Sequence, residues 1–520
     1  MKKKLFLCVL VSLMFTSLMG QSQTFPIDLQ VESERYAYAY RFIPMEQDED
    51  NYYLYRASYL RGYNFFYAPF LKPLTYDYIY SIDKMNNKTT KVQVMNPDNY
   101  YFHGCFENEN EIIGIYAVSD DKTKEYTIEM NSYEKGSRTY EWNPREIASY
   151  NYERKDDSYL TTAISPDKSK IVIVYMQVNK KNLFKGAAVM TFNNRGELLW
   201  ENHLDLEFQN KTFAIEDCAI DNEGSVYLPI VSYVEAKKSR TDEQLHLYRI
   251  SENNSAEAVE DVSFGFIEEL KLKILKNGNI FIGGYYKTEL GIDDNEAGYF
   301  GAFFDVQTDN FSNLVSTKFP SSYKEKRVIY GGNLTPKLDN QQHQVQCEDI
   351  FELDNGKIVL IGEQSKMYIS RGYNNNAQNI YYYYAKNILY NLFSADGNAE
   401  EFKMIKKAQY YSSTTIYDDY NKAFISFNAF QKGNDIYFVF NDNLENYTGK
   451  QDKVYKMNWK KTCTVLVKMN ENGEEERNIL LNSKTQKKIF QTLLFVNGND
   501  LIIHGINKKY SELSRVLFED

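Results

Sequence analysis

One short unit recurs along nearly the whole chain: an apolar strand, a tight turn containing Asn, Asp or Gly, and a second apolar strand. Asn-Gly and Asp-Gly turns adopt positive φ angles at little cost, so each unit predicts a β-hairpin. The first apolar residue of each second strand marks the copies: Ile113, Ile171, Val226, Ile280, Ile358, Ile436 and Leu501, with a weaker copy at Leu54. Such a period indicates one repetitive array.

A second strand–turn–strand pair follows most of these hairpins, which makes four strands per unit. Examples are Ala187–Leu204, Asn387–Ile405 and Cys463–Leu480. The composition agrees, because 45 Tyr and 32 Phe suit pleated, half-buried surfaces. Four-stranded sheets repeated seven or eight times predict an all-β fold, a single β-propeller, with eight blades preferred over seven.

The two ends of the chain predict how the ring closes. The last unit, from Leu493, holds only about three strands, and Phe25–Glu34 reads as a strand without a hairpin partner. We expect this N-terminal strand to complete the final blade. The alternatives are two tandem β-sandwiches, divided near the polar stretch Pro320–Asn340, or an open β-solenoid. We interpret that stretch as an insertion within one ring.

The first residues have the pattern of a secretory signal peptide. Lys2–Lys4 form a positive segment, Leu5–Phe15 an apolar one, and cleavage is expected after Gly20. The predicted organisation is a signal peptide at 1–20 and a propeller domain at 21–520. No later segment approaches twenty apolar residues, so no transmembrane segment is expected after cleavage. The expected location is the periplasm, the cell surface or the exterior.

Charge argues against a nucleic-acid partner, since the net charge is −11 and the pI is near 5.3. The most basic stretch, Lys450–Lys468, is interpreted as a solvated strand surface. The four cysteines after the signal form no CxxC pair, and reduced core thiols are favoured over disulfides.

No metal or cofactor motif is present in the sequence. The histidines show no metal-ligand spacing: His103, His203, His246, His343 and His504. The alternative is that inner strands of a propeller bring His103 and His504 together at the channel. The acidic runs Asp48–Asp50 and Asp293–Glu296 lack the alternating spacing of an EF-hand, and a solvated turn is favoured for each.

Two segments resemble known exported proteins. The unit Ala163–Tyr175 (AISPDKSKIVIVY) is similar to the SPDG-type turn of propeller repeats. Glu348–Gln364, followed by the Tyr-rich strand and KK-x-Q element of Tyr381–Gln409, resembles a family of exported propeller-like repeat proteins of the Bacteroidota. That family has no established activity. The resemblance implies export and fold, because it concerns scaffold positions.

The enlarged repeats are the best functional lead. Ser58–Tyr76 and Ser365–Asn387 both fall between second and third strands, and both contain an Arg-Gly-Tyr step. Tyr and Arg offer large rigid area with polar tips, which suits recognition of proteins or glycans. The candidate binding residues are Arg61, Tyr63, Arg371, Tyr373 and Tyr382. The equally weighted alternative is that these tyrosines only pack between sheets.

The expected function is therefore a non-enzymatic exported propeller that binds a protein or glycan at the cell envelope through these loops. A polysaccharide lyase or hydrolase acting at the channel mouth is one alternative, and a structural subunit of an envelope assembly is another. Enzymatic activity would require carboxylates, His or Arg clustered at the channel mouth.

Overall fold

The computed structural model confirms an all-β fold of eight four-stranded antiparallel blades. It describes residues 23–26, 40–58, 77–94, 100–120, 122–152, 158–178, 184–205, 211–214, 217–236, 239–288, 297–320, 323, 328–329, 344–370, 379–413, 424–448, 454–457, 460–482, 489–490, 495–506 and 511–518.

The first four blades follow one another along the chain. Blade 1 comprises Tyr40–Gln47, Asn51–Ser58, Asp77–Asp83 and Thr89–Val94. Blade 2 comprises Tyr100–Glu107, Glu111–Asp120, Glu125–Glu134 and Arg145–Asn151. Blade 3 comprises Ser158–Ile164, Lys170–Val178, Phe184–Asn193 and Leu198–Asp205. Blade 4 has a divided first strand, Lys211–Ala214 and Ala219–Ile220, then Val226–Ala236, Ser239–Ile250 and Ser255–Asp261.

The second half of the ring includes the enlarged blades. Blade 5 comprises Phe266–Ile274, Ile280–Lys287, Ala297–Asp305 and Asn310–Lys318. Blade 6 comprises Gln344–Glu352, Ile358–Ser370, Ile380–Phe393 and Ala399–Ile405, with an added strand, Gln409–Ser413. Blade 7 comprises Phe427–Lys432, Asp435–Asn443, Thr462–Met469 and Glu475–Asn482. Blade 8 comprises Ile489–Phe490 and Phe495–Asn497 as its first strand, then Asp500–Ile506, Ser511–Leu517 and the N-terminal Gln23–Pro26.

Packing between blades closes the ring. Eight hydrophobic clusters are each shared by two neighbouring blades, and they run from blade to blade until blade 8 meets blade 1. In the closing cluster, Leu54 and Ile82 of blade 1 join Ile502 and Leu513 of blade 8. Each sheet is apolar on both faces, so stacking against two neighbours buries both. This excludes the tandem sandwiches and the open solenoid.

The N-terminal strand completes blade 8, as expected. It lies at Gln23–Pro26, antiparallel to the strand Ser511–Leu517. The closing strand begins two residues before the predicted Phe25–Glu34 and shares Phe25 and Pro26 with it, while residues 27–34 lie outside the described part of the chain. The weak copy at Leu54 is a full blade, which decides the count at eight.

Antiparallel pairing gives the ring two different ends. Turns between strands one and two, and between three and four, lie at the end called the turn end here. Connections between strands two and three, and between blades, lie at the opposite end, called the insertion end. At the turn end, Gly196 has φ of 73° and follows Asn193, whose side chain accepts backbone N–H groups of the same turn.

The insertion end carries structure beyond the blades. Val328–Ile329, from the predicted insertion between blades 5 and 6, pairs in parallel with Val454–Tyr455 of blade 7. A helical turn, Glu445–Thr448, precedes that segment. The polar stretch Pro320–Asn340 is thus an insertion in one ring, as far as its described residues show.

Candidate functional site

Blade 6 extends beyond the ring as a three-stranded sheet at the insertion end. The strands Ile358–Ser370 and Ile380–Phe393 continue past the blade, and Gln409–Ser413 returns beside them. We call residues 365–370, 380–385 and 409–413 the tyrosine platform. The enlarged segment Ser365–Asn387 was predicted as a loop, but most of its described residues are strand.

One face of the platform is packed against the ring. Residues directly opposite each other in antiparallel strands share a face, so Met367, Tyr383 and Tyr411 lie together. Tyr383 packs in a small cluster with Ile425 and Met457, and Tyr381 and Tyr411 border it. These contacts fix the platform to the blade 6–blade 7 connection and to blade 7.

The opposite face carries a second group of aromatic rings. The Tyr410 ring centroid lies 5.9 Å from that of Tyr382 and 5.1 Å from that of Tyr384. The Lys456 ammonium lies 3.4 Å from the centroid of Tyr410. Burial lowers the pKa of Lys456 to about 8.

The platform also exposes aliphatic surface. Met367 and Ile369, which lie toward the edge of the Tyr383 face, are 47% and 41% exposed, and Ile380 on the opposite face is 37% exposed. These three are a third of the nine large hydrophobic residues exposed in the described part of the chain. A local concentration of apolar and aromatic surface is typical of an interaction site.

Among the described residues, one of the predicted binding residues lies on the platform. Tyr382 is half-buried on the platform. Arg61, Tyr63, Arg371 and Tyr373 lie outside the described residues, so their role stays a prediction. The sequence did not identify Met367, Ile369 or Lys456. Only Tyr and Arg were considered as binding residues, and Lys450–Lys468 was interpreted as a solvated strand surface.

A different polar group lies along the central channel, where first strands of neighbouring blades meet. The Asp217 carboxylate accepts the backbone N–H of Leu272 at 3.0 Å, and that of Glu269 accepts the N–H of Cys347 at 2.8 Å. Each bond joins one blade to the next. Asp217 therefore links blade 4 to blade 5, and Glu269 links blade 5 to blade 6.

Glu348 is the exception among these channel carboxyls. It occupies a bulge in the first strand of blade 6, and no hydrogen bond to its side chain is found within the described residues. Burial, with a smaller contribution from the nearby Glu363 carboxylate, raises the pKa of Glu348 to about 7. A carboxyl poised near neutral pH is suited to proton transfer.

The KK-x-Q element joins blade 6 to blade 7. The Lys407 ammonium is fully buried and donates to the buried Glu363 carboxylate and, at 2.9 Å, to Gln409. Gln409 in turn accepts from the Ser426 N–H at 2.6 Å and donates to the Asn441 carbonyl at 2.7 Å. The element is a scaffold feature, in agreement with the interpretation of the resemblance.

Blade 4 contains a Ser–His–Glu chain that the sequence analysis did not identify. Ser232 Oγ lies 2.7 Å from His246 Nε2, and His246 Nδ1 lies 2.7 Å from Glu257 Oε1. The Tyr248 hydroxyl donates to the same Glu257 oxygen at 2.5 Å. These distances match a nucleophile–base–carboxylate arrangement.

In the Ser–His–Glu chain the serine is buried and the carboxylate is exposed, which is the reverse of what nucleophilic catalysis requires. Ser232 is only 2% exposed, whereas the Glu257 side chain is 41% exposed. An incoming substrate must reach the serine, not the carboxylate. The chain therefore serves to satisfy buried polar groups across three strands of blade 4.

His103 and His504, which the sequence left as possible channel partners, do not meet. His103 is exposed on the first strand of blade 2, with the Tyr126 hydroxyl 3.2 Å from Nε2. His504 is buried in the second strand of blade 8, and burial lowers its pKa to about 3. The two residues thus occupy different layers of blades 2 and 8.

A cavity of about 680 Å³ opens at the turn end of the channel, among turns of blades 3 to 7. Two of its three acidic side chains, Asp221 and Glu352, are bonded to the protein. Asp221 accepts from Ser225 N and Tyr227 Oη, and Glu352 accepts from Lys276 N at 2.6 Å. These two carboxylates therefore stabilise the turns that line the cavity.

The cysteines and acidic runs have structural settings. Cys105, Cys218, Cys347 and Cys463 form no disulfide, and the last three are buried. Asp48 accepts the N–H groups of Asp50 and Asn51, as a turn residue does; Asp293–Glu296 lies outside the described residues. Within the described residues no cluster of His, Cys, Asp or Glu is arranged to hold a metal ion. No helix there is long and apolar enough to cross a membrane.

No protein-family model matches the chain, and neither does any curated protein. Among solved structures, a polysaccharide lyase is similar with a TM-score of 0.35 and 10% identity, over 82% of this chain and 94% of that one. The β-propeller domain of the trilobed protease from Pyrococcus furiosus gives 0.35 and 11%, over 81% and 94%. The endosialidase of phage phi92 gives 0.34 and 9%, over 96% and 69%. These similarities are too remote to indicate an activity for this chain.

Proposed function

We propose that this protein is an exported propeller that binds a partner protein at the cell envelope through the tyrosine platform. Export rests on the N-terminal sequence pattern. The observation that carries the binding proposal is the exposure of Met367, Ile369 and Ile380 on a sheet that projects beyond the ring. Scattered exposed apolar residues need no explanation, but three on one small projection do.

A protein fits this surface better than a glycan. Sugar-binding surfaces use aromatic rings and hydrogen-bonding groups, whereas exposed Met and Ile side chains need apolar side chains opposite them. Methionine is frequent on protein-binding surfaces because its flexible thioether adapts to the partner. The tyrosine rings add rigid area around these aliphatic residues.

A photo-crosslinking experiment tests the proposal. A photoreactive amino acid replaces Ile369, and the purified protein is incubated with the native envelope fraction. We expect discrete crosslinked species, which disappear when Met367 and Tyr382 are changed to Ser and Ala. The matched control carries the same amino acid at Leu198, which is 53% exposed on the outer strand of blade 3.

Equal crosslinking from positions 369 and 198 would contradict the proposal, because nonspecific adsorption labels both surfaces equally. The thermal midpoint of each variant is measured alongside. Because Met367 and Ile369 are exposed, replacing them should leave that midpoint within about 2 °C, since surface changes alter stability by only about 0.5 kcal/mol.

A second candidate function is acid–base chemistry in the channel, and Glu348 is the observation that favours it. Its carboxyl titrates near pH 7 and has no hydrogen-bond partner among the described residues. The test is hydrolysis or elimination of envelope polysaccharides by the wild type and by Glu348→Gln. Activity lost in that variant supports this candidate, and equal or absent turnover by both proteins counts against it.

A further inference from the structure

The segment that bears Lys456 is held firmly beside the platform. Met457 N donates to the Ala408 carbonyl at 2.8 Å, and the Lys456 carbonyl accepts from Asn443 Nδ2 at 2.7 Å. Asn446 bonds both the N–H and the carbonyl of Tyr455, at 2.6 and 3.0 Å. The backbone around Lys456 is therefore fixed by hydrogen bonds from two sides.

In the described part of the chain, the Lys456 ammonium has no anionic partner. It is half-buried and packs on Tyr410, and within the described residues no carboxylate forms an ion pair with it. Other cations nearby are paired, as Lys461 is with Glu445 at 2.5 Å. A partly buried charge without a counter-ion is costly, and an aromatic face compensates only part of that cost. Burial accordingly lowers the Lys456 pKa to about 8.

The surrounding charge is also complementary to an anion. The protein as a whole is acidic, with a net charge of −11, whereas Lys456 places a positive charge on the tyrosine face of the platform, over Tyr410. An acidic segment would be repelled by most of the surface and attracted here. Opposite potentials of this kind select orientation and partner.

We propose that Lys456 is the anion-recognition residue of the tyrosine platform and that the partner presents an Asp or Glu carboxylate flanked by apolar residues. This inference rests on the proposed function. The carboxylate would meet the ammonium over Tyr410, while apolar neighbours cover Tyr382 and Ile380 of the same face. A uronate-bearing glycan would satisfy the charge but would leave Ile380 without an apolar partner.

The test uses an array of octapeptides in which apolar residues alternate with a central Glu or Gln. Binding is measured for the wild type, Lys456→Met and Lys406→Met. Methionine keeps an unbranched stem over Tyr410 and removes only the charge. Lys406, an exposed lysine just before the third platform strand, provides the matched control. An oligouronate is assayed in parallel.

We expect Glu peptides to bind the wild type at least tenfold more tightly than their Gln counterparts. Lys456→Met should abolish this preference, and Lys406→Met should keep it. Raising the pH from 7 to 9 should weaken the preference, because the Lys456 ammonium loses its proton over this range. Binding of Gln peptides should not change.

Equal binding of Glu and Gln peptides by the wild type, or a preference that survives Lys456→Met, overturns the inference and leaves the proposed function standing. Oligouronate binding lost in Lys456→Met, without peptide preference, also overturns it. Peptide binding that Tyr382→Ala and Met367→Ser leave unchanged, or no peptide binding at all, overturns the proposed function itself.

Discussion

The turn end and the insertion end of the ring differ in the regularity of their structure. At the turn end, the same device recurs: Asn193 accepts the N–H groups of Arg195 and Glu197, and Asn470 accepts those of Asn472 and Glu474 in another blade. At the insertion end, the described connections share no such device. Blade 6 has its platform, blade 7 its helical turn and Lys456, and the connection between them its buried Lys407.

The difference shows where evolutionary freedom lies in such a fold. A repeated turn must satisfy its own backbone, so its polar side chains are occupied by local hydrogen bonds. Connections at the other end only have to bridge strands, and they can grow without disturbing the sheets. Recognition surfaces therefore accumulate at the irregular end.

The largest expected effect concerns the buried ion pair at the insertion end. Lys407→Ala leaves the Glu363 carboxylate buried without its counter-charge, which should lower the free energy of unfolding by about 3–5 kcal/mol. Urea denaturation measures the loss. The control at the turn end is Lys276→Ala, whose partner Asp354 is 64% exposed; its loss should be much smaller, because solvent screens an exposed ion pair. Equal losses would mean that the two ends do not differ in this respect.

The next effect is a pH dependence set by Glu348. Its pKa rises from 4.5 in the unfolded chain to about 7 in the folded one, so between these values the folded protein retains a proton that the unfolded chain releases. Stability therefore falls as pH rises through this window. Glu348→Gln removes that loss, and we expect the variant to be about 2–3 kcal/mol more stable than the wild type at pH 8, with little difference at pH 4. Parallel curves for the two proteins would contradict the shift.

A smaller loss is expected when the Ser–His–Glu chain is broken. Ser232→Ala leaves His246 Nε2 buried without its 2.7 Å partner, which should cost about 1–2 kcal/mol. The same experiment includes a fluorophosphonate probe, which we expect not to label the folded wild type. Labelling mapped to Ser232 would show that the serine is reachable and that the chain is more than structural.

The smallest effect sharpens the comparison at the turn end. Asn193→Ala removes two side chain–backbone hydrogen bonds of an exposed turn and should cost about 0.5–1 kcal/mol. Asn470→Ala removes the equivalent pair in blade 7 and should cost the same within error. A clear inequality in the unfolding midpoints would show that the repeated turns are not energetically equivalent.

Sequence periodicity was sufficient for the ring because hairpins are local. Turn residues such as Asn193 and Gly196 specify the turn, and alternating apolar residues specify the pairing, so the blades and the N-terminal closure were predictable. The bounds of the closing strand were not, since Gln23–Pro26 is defined only by a partner at the other end of the chain.

The candidate site was only partly predictable for the same reason. Tyr382 was found because tyrosines are dense in its segment. Lys456 is one lysine among several in sequence, and only the approach of Tyr410 from another blade distinguishes it. The Ser232–His246–Glu257 chain likewise depends on strand register, and sequence spacing does not reveal it.

Closure of blade 8 by the N-terminal strand has a consequence for the order of events in biogenesis. The strand Gln23–Pro26 has to wait for Ser511–Leu517, the strand with which it pairs. Blades 1 to 7 can assemble sequentially, but the ring cannot close before residue 517 has been synthesised. Until then, blade 8 has an open edge that is prone to wrong pairing. Ring closure is therefore a late folding step, and a chaperone that shields this edge would act before it.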